Sequence, residues 1–164
     1  MIYIISGVPG SGKSTTAEHL VKQFKKGFLI ETDELRLCVK SGYASPTDWT
    51  SETTAQFELA AYNSCSIAKN AERYGFTVVI DDAVIVEQER IYTENLPDAF
   101  KVFLCPSLET ILERNRNRNK NVPDALIRNV YKHLEYRKTN FNDWITLDNS
   151  NIDLEEVVKK ILSL

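Results

Sequence analysis

A chain of 164 residues with 43% hydrophobic and 26% charged side chains can build one domain around its own core, which excludes a disordered or fibrous protein. Its formal net charge of -3 excludes a global positive field for collecting nucleic-acid backbone, so such a partner would have to be held by a local patch. Three cysteines without a C-x-x-C pair read as reduced thiols in a cytoplasmic protein, and no apolar run is long enough for a membrane span or a leader peptide.

The first predicted element is a buried strand, MIYIIS, followed directly by GVPGSGKST, Gly7 to Thr15. This stretch satisfies G-x-x-x-x-G-K-[ST] at Gly7, Gly12, Lys13 and Ser14. Glycines let the backbone curl so that successive N–H groups face a β-phosphate, and the helix that follows adds its positive end. Gly7, Pro9, Gly10, Ser11, Gly12, Lys13, Ser14 and Thr15 are therefore the candidate ATP-binding residues, with Lys13 bridging the β- and γ-phosphates and the Ser14 hydroxyl on Mg²⁺. The competing reading is a purely structural turn, with Thr15 and Thr16 only early helix positions. A strand before and a helix after, Ser14 to Lys25, meet the context the motif requires.

A second strand, GFLIE, ends in ETDELR. Ligands of a doubly wound sheet sit beyond the carboxyl ends of its strands, so Asp33 is placed to face the bound phosphoryl group and to accept the proton of an attacking hydroxyl. Arg36, one turn later, shares its face and suits an anionic group on the acceptor. The plainer alternative has Asp33 capping a short helix from Glu34, with Arg36 in a solvated ion pair. In the next segment, KSGYASPTDW, Tyr43 and Trp49 either stack on a base, a contact worth about 1 to 3 kcal/mol, or fill a small satellite core.

A long helix is predicted from Ser51 to Tyr74, stopped by Gly75. The third strand, FTVVIDDA, carries Asp81 and Asp82; alternation turns only one of them toward the site, where it is expected near the metal. After the fourth strand, FKVFLC, a helix begins near Leu108 with Ile111 and Leu112 on its apolar stripe. It runs into ERNRNRNKNVP, where Arg114 and Arg118 are four apart and so emerge on one face, with Arg116 on another. That face is expected to return over the phosphates as an arginine-bearing lid; the alternative is a solvated loop. Leu126, Ile127, Val130 and Leu134 mark a further helix, Trp144 to Leu147 a fifth strand, and Asp153 with Glu156 a capping box opening the last helix.

Strands alternating with helices predict an α/β fold of the P-loop NTPase kind, a parallel sheet of about five strands with helices on both faces, in one domain over residues 1–164. A guanine-reading N-K-x-D is missing, since NKNV at Asn119 lacks the Asp, and the chain is short for an ATPase motor. A small phosphotransferase remains.

The order GVPGSGKST, TDELR, VVIDDA, RNRNRNKNVPDALIRNVYKHLE resembles the kinase domain of bacteriophage-type polynucleotide kinase, within the wider P-loop kinases that include chloramphenicol phosphotransferase and gluconate kinase. The resemblance covers most of the first 136 residues. It implies transfer of the ATP γ-phosphate, with Mg²⁺, to the 5′-hydroxyl of DNA or RNA. Carried over, Asp33 matches the general base and Arg36 the ligand of the acceptor's phosphate. Asp82 matches the aspartate after strand three that serves acceptor and metal, directly or through water. Arg118 matches the lid arginine on the transferring phosphate, and Arg114 a second nucleotide-side arginine. The family's polar Thr-Asn pair after strand three is replaced by Ala83 and Val84, which implies fewer polar contacts to the acceptor. The leading expectation is thus an ATP-dependent polynucleotide 5′-hydroxyl kinase. The acidic balance and Ala83 with Val84 motivate the alternative, a kinase of a sugar, nucleoside or antibiotic hydroxyl; a nucleotide-binding module without transfer is the third.

Overall fold

In a computed structural model of the protein, residues 1–117, 122–125, 127, 128, 130–132 and 143–164 are described. The chain alternates β1 (Ile2–Gly7), α1 (Lys13–Val21), β2 (Gly27–Glu31), α2 (Thr32–Arg36), α3 (Ser51–Arg73), β3 (Thr77–Asp81), α4 (Val86–Asn95), β4 (Phe100–Leu104), α5 (Leu108–Arg116), β5 (Ile145–Leu147) and α6 (Leu154–Leu162). The strands form one sheet in the order β2-β3-β1-β4-β5, and every pairing is parallel. This is the expected α/β fold with a five-stranded parallel sheet between helices.

Alternation of side chains along each strand sorts the apolar residues into two cores. Ile2 and Ile4 of β1 join Val78, Ile80 and Phe103 against Ala61, Cys65 and Ala68 of α3, Ile91 and Tyr92 of α4, and Ile111 of α5. Tyr3 and Ile5 face the other way, joining Val79, Val102 and Leu104 against Ala17 and Leu20 of α1 and Val157, Val158 and Ile161 of α6. A sheet buried on both faces needs near-continuous apolar strands, which is why β1, β3 and β4 read as largely hydrophobic, with Lys101 the charged residue inside β4.

Boundaries follow local chemistry. Thr50 caps α3 in a capping box with Thr53, and Gly75 ends it with φ of 79°. Asp153 caps α6 by accepting from the Glu156 N–H at 2.8 Å. The helix α4 went unpredicted because its inward positions are Gln88, Ile91 and Tyr92, a stripe too polar to stand out. Of the helix expected from Leu126 to Leu134, Ile127 and Val130 pack on the core, while Leu126 and Leu134 lie outside the described residues. Among the described residues no helix is long and apolar enough to cross a membrane.

Candidate active site

At the carboxyl end of β1 the chain turns into the loop 7–14 because two glycines permit it. A Cβ on Gly7 would meet Ser11 Oγ and lie 2.8 Å from the Leu104 carbonyl, and Gly12 holds φ of 92°, in the left-handed region. Gly12 is also the N-cap of α1. It supplies no capping side chain, and no acidic residue occupies the first turn. The first N–H groups of α1 are thus left for an external anion, with the helix dipole behind them.

Pro9, Gly10, Gly12, Lys13, Ser14 and Thr15 line a cleft of about 300 Å³ together with Arg114 and Asn149. Lys13 Nζ donates to Ser14 Oγ at 3.3 Å and stands 3.4 Å from Asp81 Oδ1, an ion pair without hydrogen-bond geometry. Ser11, buried beneath the loop, offers its carbonyl to two donors, Asn149 Nδ2 at 2.9 Å and Arg114 Nη1 at 3.3 Å. Arg114 Nη2 also donates to the Asn149 carbonyl at 2.8 Å, which ties α5 to the segment after β5. Arg116 points elsewhere, 3.7 Å from Asp124. Arg118, the expected lid arginine, lies outside the described residues.

The Asp81-Asp82 pair is split by the pleat. Asp81 follows Val79 onto the α1 face, beside Lys13 and in register with Glu31 of β2. Burial raises the Glu31 pKa, and Asp81, Glu34, Glu18 and Asp33 add to the shift. Asp82 turns to the opposite face, where it is 2% exposed and its Oδ2 accepts from Tyr92 Oη at 2.7 Å and Gln88 Nε2 at 3.0 Å. Asp82 was the carboxylate expected at the metal; the one beside Lys13 is that of Asp81, and Oδ2 of Asp82 accepts from two donors of α4. Burial pushes the Asp82 carboxyl up to about 7, opposed by the Tyr92 hydrogen bond and reinforced by the charge of Asp33.

Asp33 stands in the first turn of α2, just past β2, and is 57% exposed at its side chain. Arg36 reaches back to it, Nη2 to Oδ1 at 2.6 Å, so the two do share a face. The guanidinium carbon of Arg36 stands over the Phe57 ring, 3.8 Å from the centroid, with Nε and Nη1 buried and without a hydrogen-bond partner among the described residues. Phe57 in turn packs on Trp49 with centroids 4.9 Å apart. Trp49 thus has a neighbour in α3, and half of its surface remains exposed. Tyr43 is exposed, on a loop anchored by Gln56, whose Nε2 donates to the Gly42 carbonyl at 2.8 Å.

The residues that sequence reasoning missed are Asn149, Gln88, Tyr92 and Phe57. Asn149 sits in the turn-like string LDNSN, Gln88 and Tyr92 belong to the unpredicted α4, and Phe57 lies inside the long predicted helix α3.

A family model described as an AAA domain matches residues 2–137, more than half of the chain. The chain belongs to that family. This AAA-domain protein is 25% identical to the L-seryl-tRNA(Sec) kinase of Methanococcus maripaludis, over all of its own length and 66% of that relative's, so it spans just under two thirds of the relative. Among solved structures it is similar to a gluconokinase of Sinorhizobium meliloti 1021, with a TM-score of 0.70 and 21% identity over 99% of this chain and 89% of that one. It is also similar to a shikimate kinase of Bacteroides thetaiotaomicron, with a TM-score of 0.68 and 17% identity over 100% and 99% of the two chains. At such identities the likeness carries the fold.

Proposed function

We propose that this AAA-domain protein is an ATP-dependent kinase that moves a γ-phosphate to the hydroxyl of a small-molecule or aminoacyl acceptor bearing an anionic group. The observation that carries the reading is the Asp33-Arg36 pair, held at the end of β2 on the same sheet edge as the Lys13 loop, with two guanidinium nitrogens of Arg36 buried and without a hydrogen-bond partner among the described residues. A carboxylate beside a phosphate cradle suits proton removal from an alcohol, and a guanidinium fork suits a carboxylate or phosphate on the same molecule.

The cradle fits a triphosphate: a glycine N-cap, an uncapped helix start and a lysine whose one anionic contact among the described residues is loose. Lys13 would neutralise the β- and γ-phosphates. Ser14 and Asp81 would hold Mg²⁺, which would offset the charge of the phosphates. Asp33 accepts the hydroxyl proton, Arg36 orients the acceptor, and Asp82 with Tyr92 and Gln88 makes a fixed polar wall behind them. Arg114 serves the nucleotide side, and Arg118 is proposed as the arginine on the transferring phosphate.

The polynucleotide 5′-hydroxyl kinase named by resemblance is the less supported subtype. The relatives reported above are named kinases of seryl-tRNA, gluconate and shikimate type, and this chain's acidic balance and its Ala83-Val84 pair favour a compact acceptor. Incubation with γ-labelled ATP and Mg²⁺ against hydroxy acids, sugar acids, seryl esters and 5′-hydroxyl oligonucleotides tests this reading. Label is expected in an anionic small molecule or seryl acceptor; label in the oligonucleotide alone would restore the polynucleotide reading.

A further inference from the structure

The polar residues on the inner face of α4 belong to a buried hydrogen-bond network that reaches the acceptor side by two arms. Thr32, Ser64, Gln88 and Tyr92 are fully buried, and Asp82 is 2% exposed. Tyr92 Oη donates to Asp82 Oδ2 at 2.7 Å, and the Thr32 hydroxyl is its second hydrogen-bond partner. Thr32 Oγ1 lies 3.1 Å from Ser64 Oγ, so one chain of hydroxyls runs from α3 through the first residue of α2 to α4. Gln88 Nε2 donates to the same Asp82 oxygen at 3.0 Å and to the Phe57 carbonyl at 3.0 Å, while Oε1 accepts from the Ile85 N–H at 2.9 Å. That set fixes the amide, since a flipped Gln88 would turn its NH₂ group toward the Ile85 N–H.

Each arm ends beside one member of the Asp33-Arg36 pair. Thr32 immediately precedes Asp33, and Phe57 carries the ring under the Arg36 guanidinium. Apolar side chains of similar volume at 88 and 92 would fill the space with no polar group to satisfy, so what the hydrogen bonds add is direction rather than burial. We infer that α4 positions the acceptor side through two separate residues: Tyr92, acting through Thr32, sets the start of α2 and with it Asp33, whereas Gln88, acting through the Phe57 backbone, sets the ring that supports Arg36. Being fully buried, neither touches the substrate. A base displaced by about 1 Å loses rate, whereas a displaced guanidinium loses its hold on the acceptor. The inference rests on the roles of Asp33 and Arg36 proposed above and adds the residues that keep them in place.

The test measures phosphate transfer from γ-labelled ATP with Mg²⁺ to D-gluconate, shikimate, serine methyl ester and a 5′-hydroxyl oligonucleotide, with ATP affinity followed by calorimetry on the full chain. On whichever of these the wild type labels, Tyr92→Phe should lower kcat about tenfold and keep the acceptor KM within about twofold. Gln88→Met should do the reverse, raising the acceptor KM about tenfold and keeping kcat within about twofold. ATP affinity should stay at the wild-type value in both. Thr32→Val should repeat the kcat loss, and Thr32→Ser, which keeps the hydroxyl, should recover most of it; this pair carries the test where a substitution in α4 prevents folding. Unchanged constants, parallel changes of kcat and KM in both α4 variants, a matching fall in ATP affinity, or equal turnover of Thr32→Val and Thr32→Ser would each overturn the inference and leave the kinase reading intact. Absence of transfer by the wild type to all four acceptors overturns the kinase reading itself, and this inference with it.

Discussion

Two adjacent aspartates, Asp81 and Asp82, show how a single step along a strand separates chemistries. Asp81 faces Lys13 on the α1 side and keeps an ionic partner, whereas Asp82 is sealed against α4 and stays near neutrality. Because Asp82 is raised from an ordinary value of 3.8 to about 7, the folded chain binds its proton more tightly than the unfolded chain does. Its contribution to stability is therefore lost as pH rises from about 4 to about 7. Asp82→Asn removes that titration. Thermal unfolding should show the variant gaining on wild type at pH 8 relative to pH 5; a constant difference between the two would contradict the buried-acid account. Arg36 gives the second prediction at this scale. A lysine there cannot reproduce a planar fork over Phe57, so Arg36→Lys should raise KM for the acceptor by about tenfold and leave KM for ATP unchanged. An equal rise for both substrates would remove Arg36 from the acceptor side.

The loop entering α1 concentrates what a backbone can do without side chains. Gly12, with φ of 92°, is both the left-handed residue and the N-cap. Gly12→Ala should cost about 1–2 kcal/mol of strain or shift the loop, and nucleotide affinity measured by calorimetry should fall with it. Unaltered affinity would mean that the amides of this turn do not grip phosphate. The turn was legible in the sequence because its glycines, lysine and serine fall at spacings that few other needs impose. The α4 helix was not legible: Gln88 and Tyr92 face inward to serve Asp82, and a polar stripe carries no 3.6-residue hydrophobic signal. One bound moved as well: α1 stops at Val21 where Ser14 to Lys25 was expected, although Phe24 beyond it still stacks on Tyr3.

Across the whole molecule, parallel topology brings the ends of β1, β2 and β3 to one edge, and nearly all of the proposed chemistry stands there: Lys13, Asp33, Arg36, Asp81 and Asp82. The strands, their order of appearance and the phosphate loop were readable from composition and spacing. Two features were not. Which aspartate meets Lys13 depends on the pleat of β3, and Asn149 reaches Ser11, 138 residues away in sequence, because β5 lies beside β4. The central claim is that Asp33 takes the acceptor's proton opposite the phosphate cradle. Its most direct measurement is the single-turnover transfer rate of Asp33→Asn beside its affinity for ATP. The account predicts a fall of about a hundredfold or more in transfer with ATP affinity unchanged; a variant that transfers phosphate at the wild-type rate would contradict it.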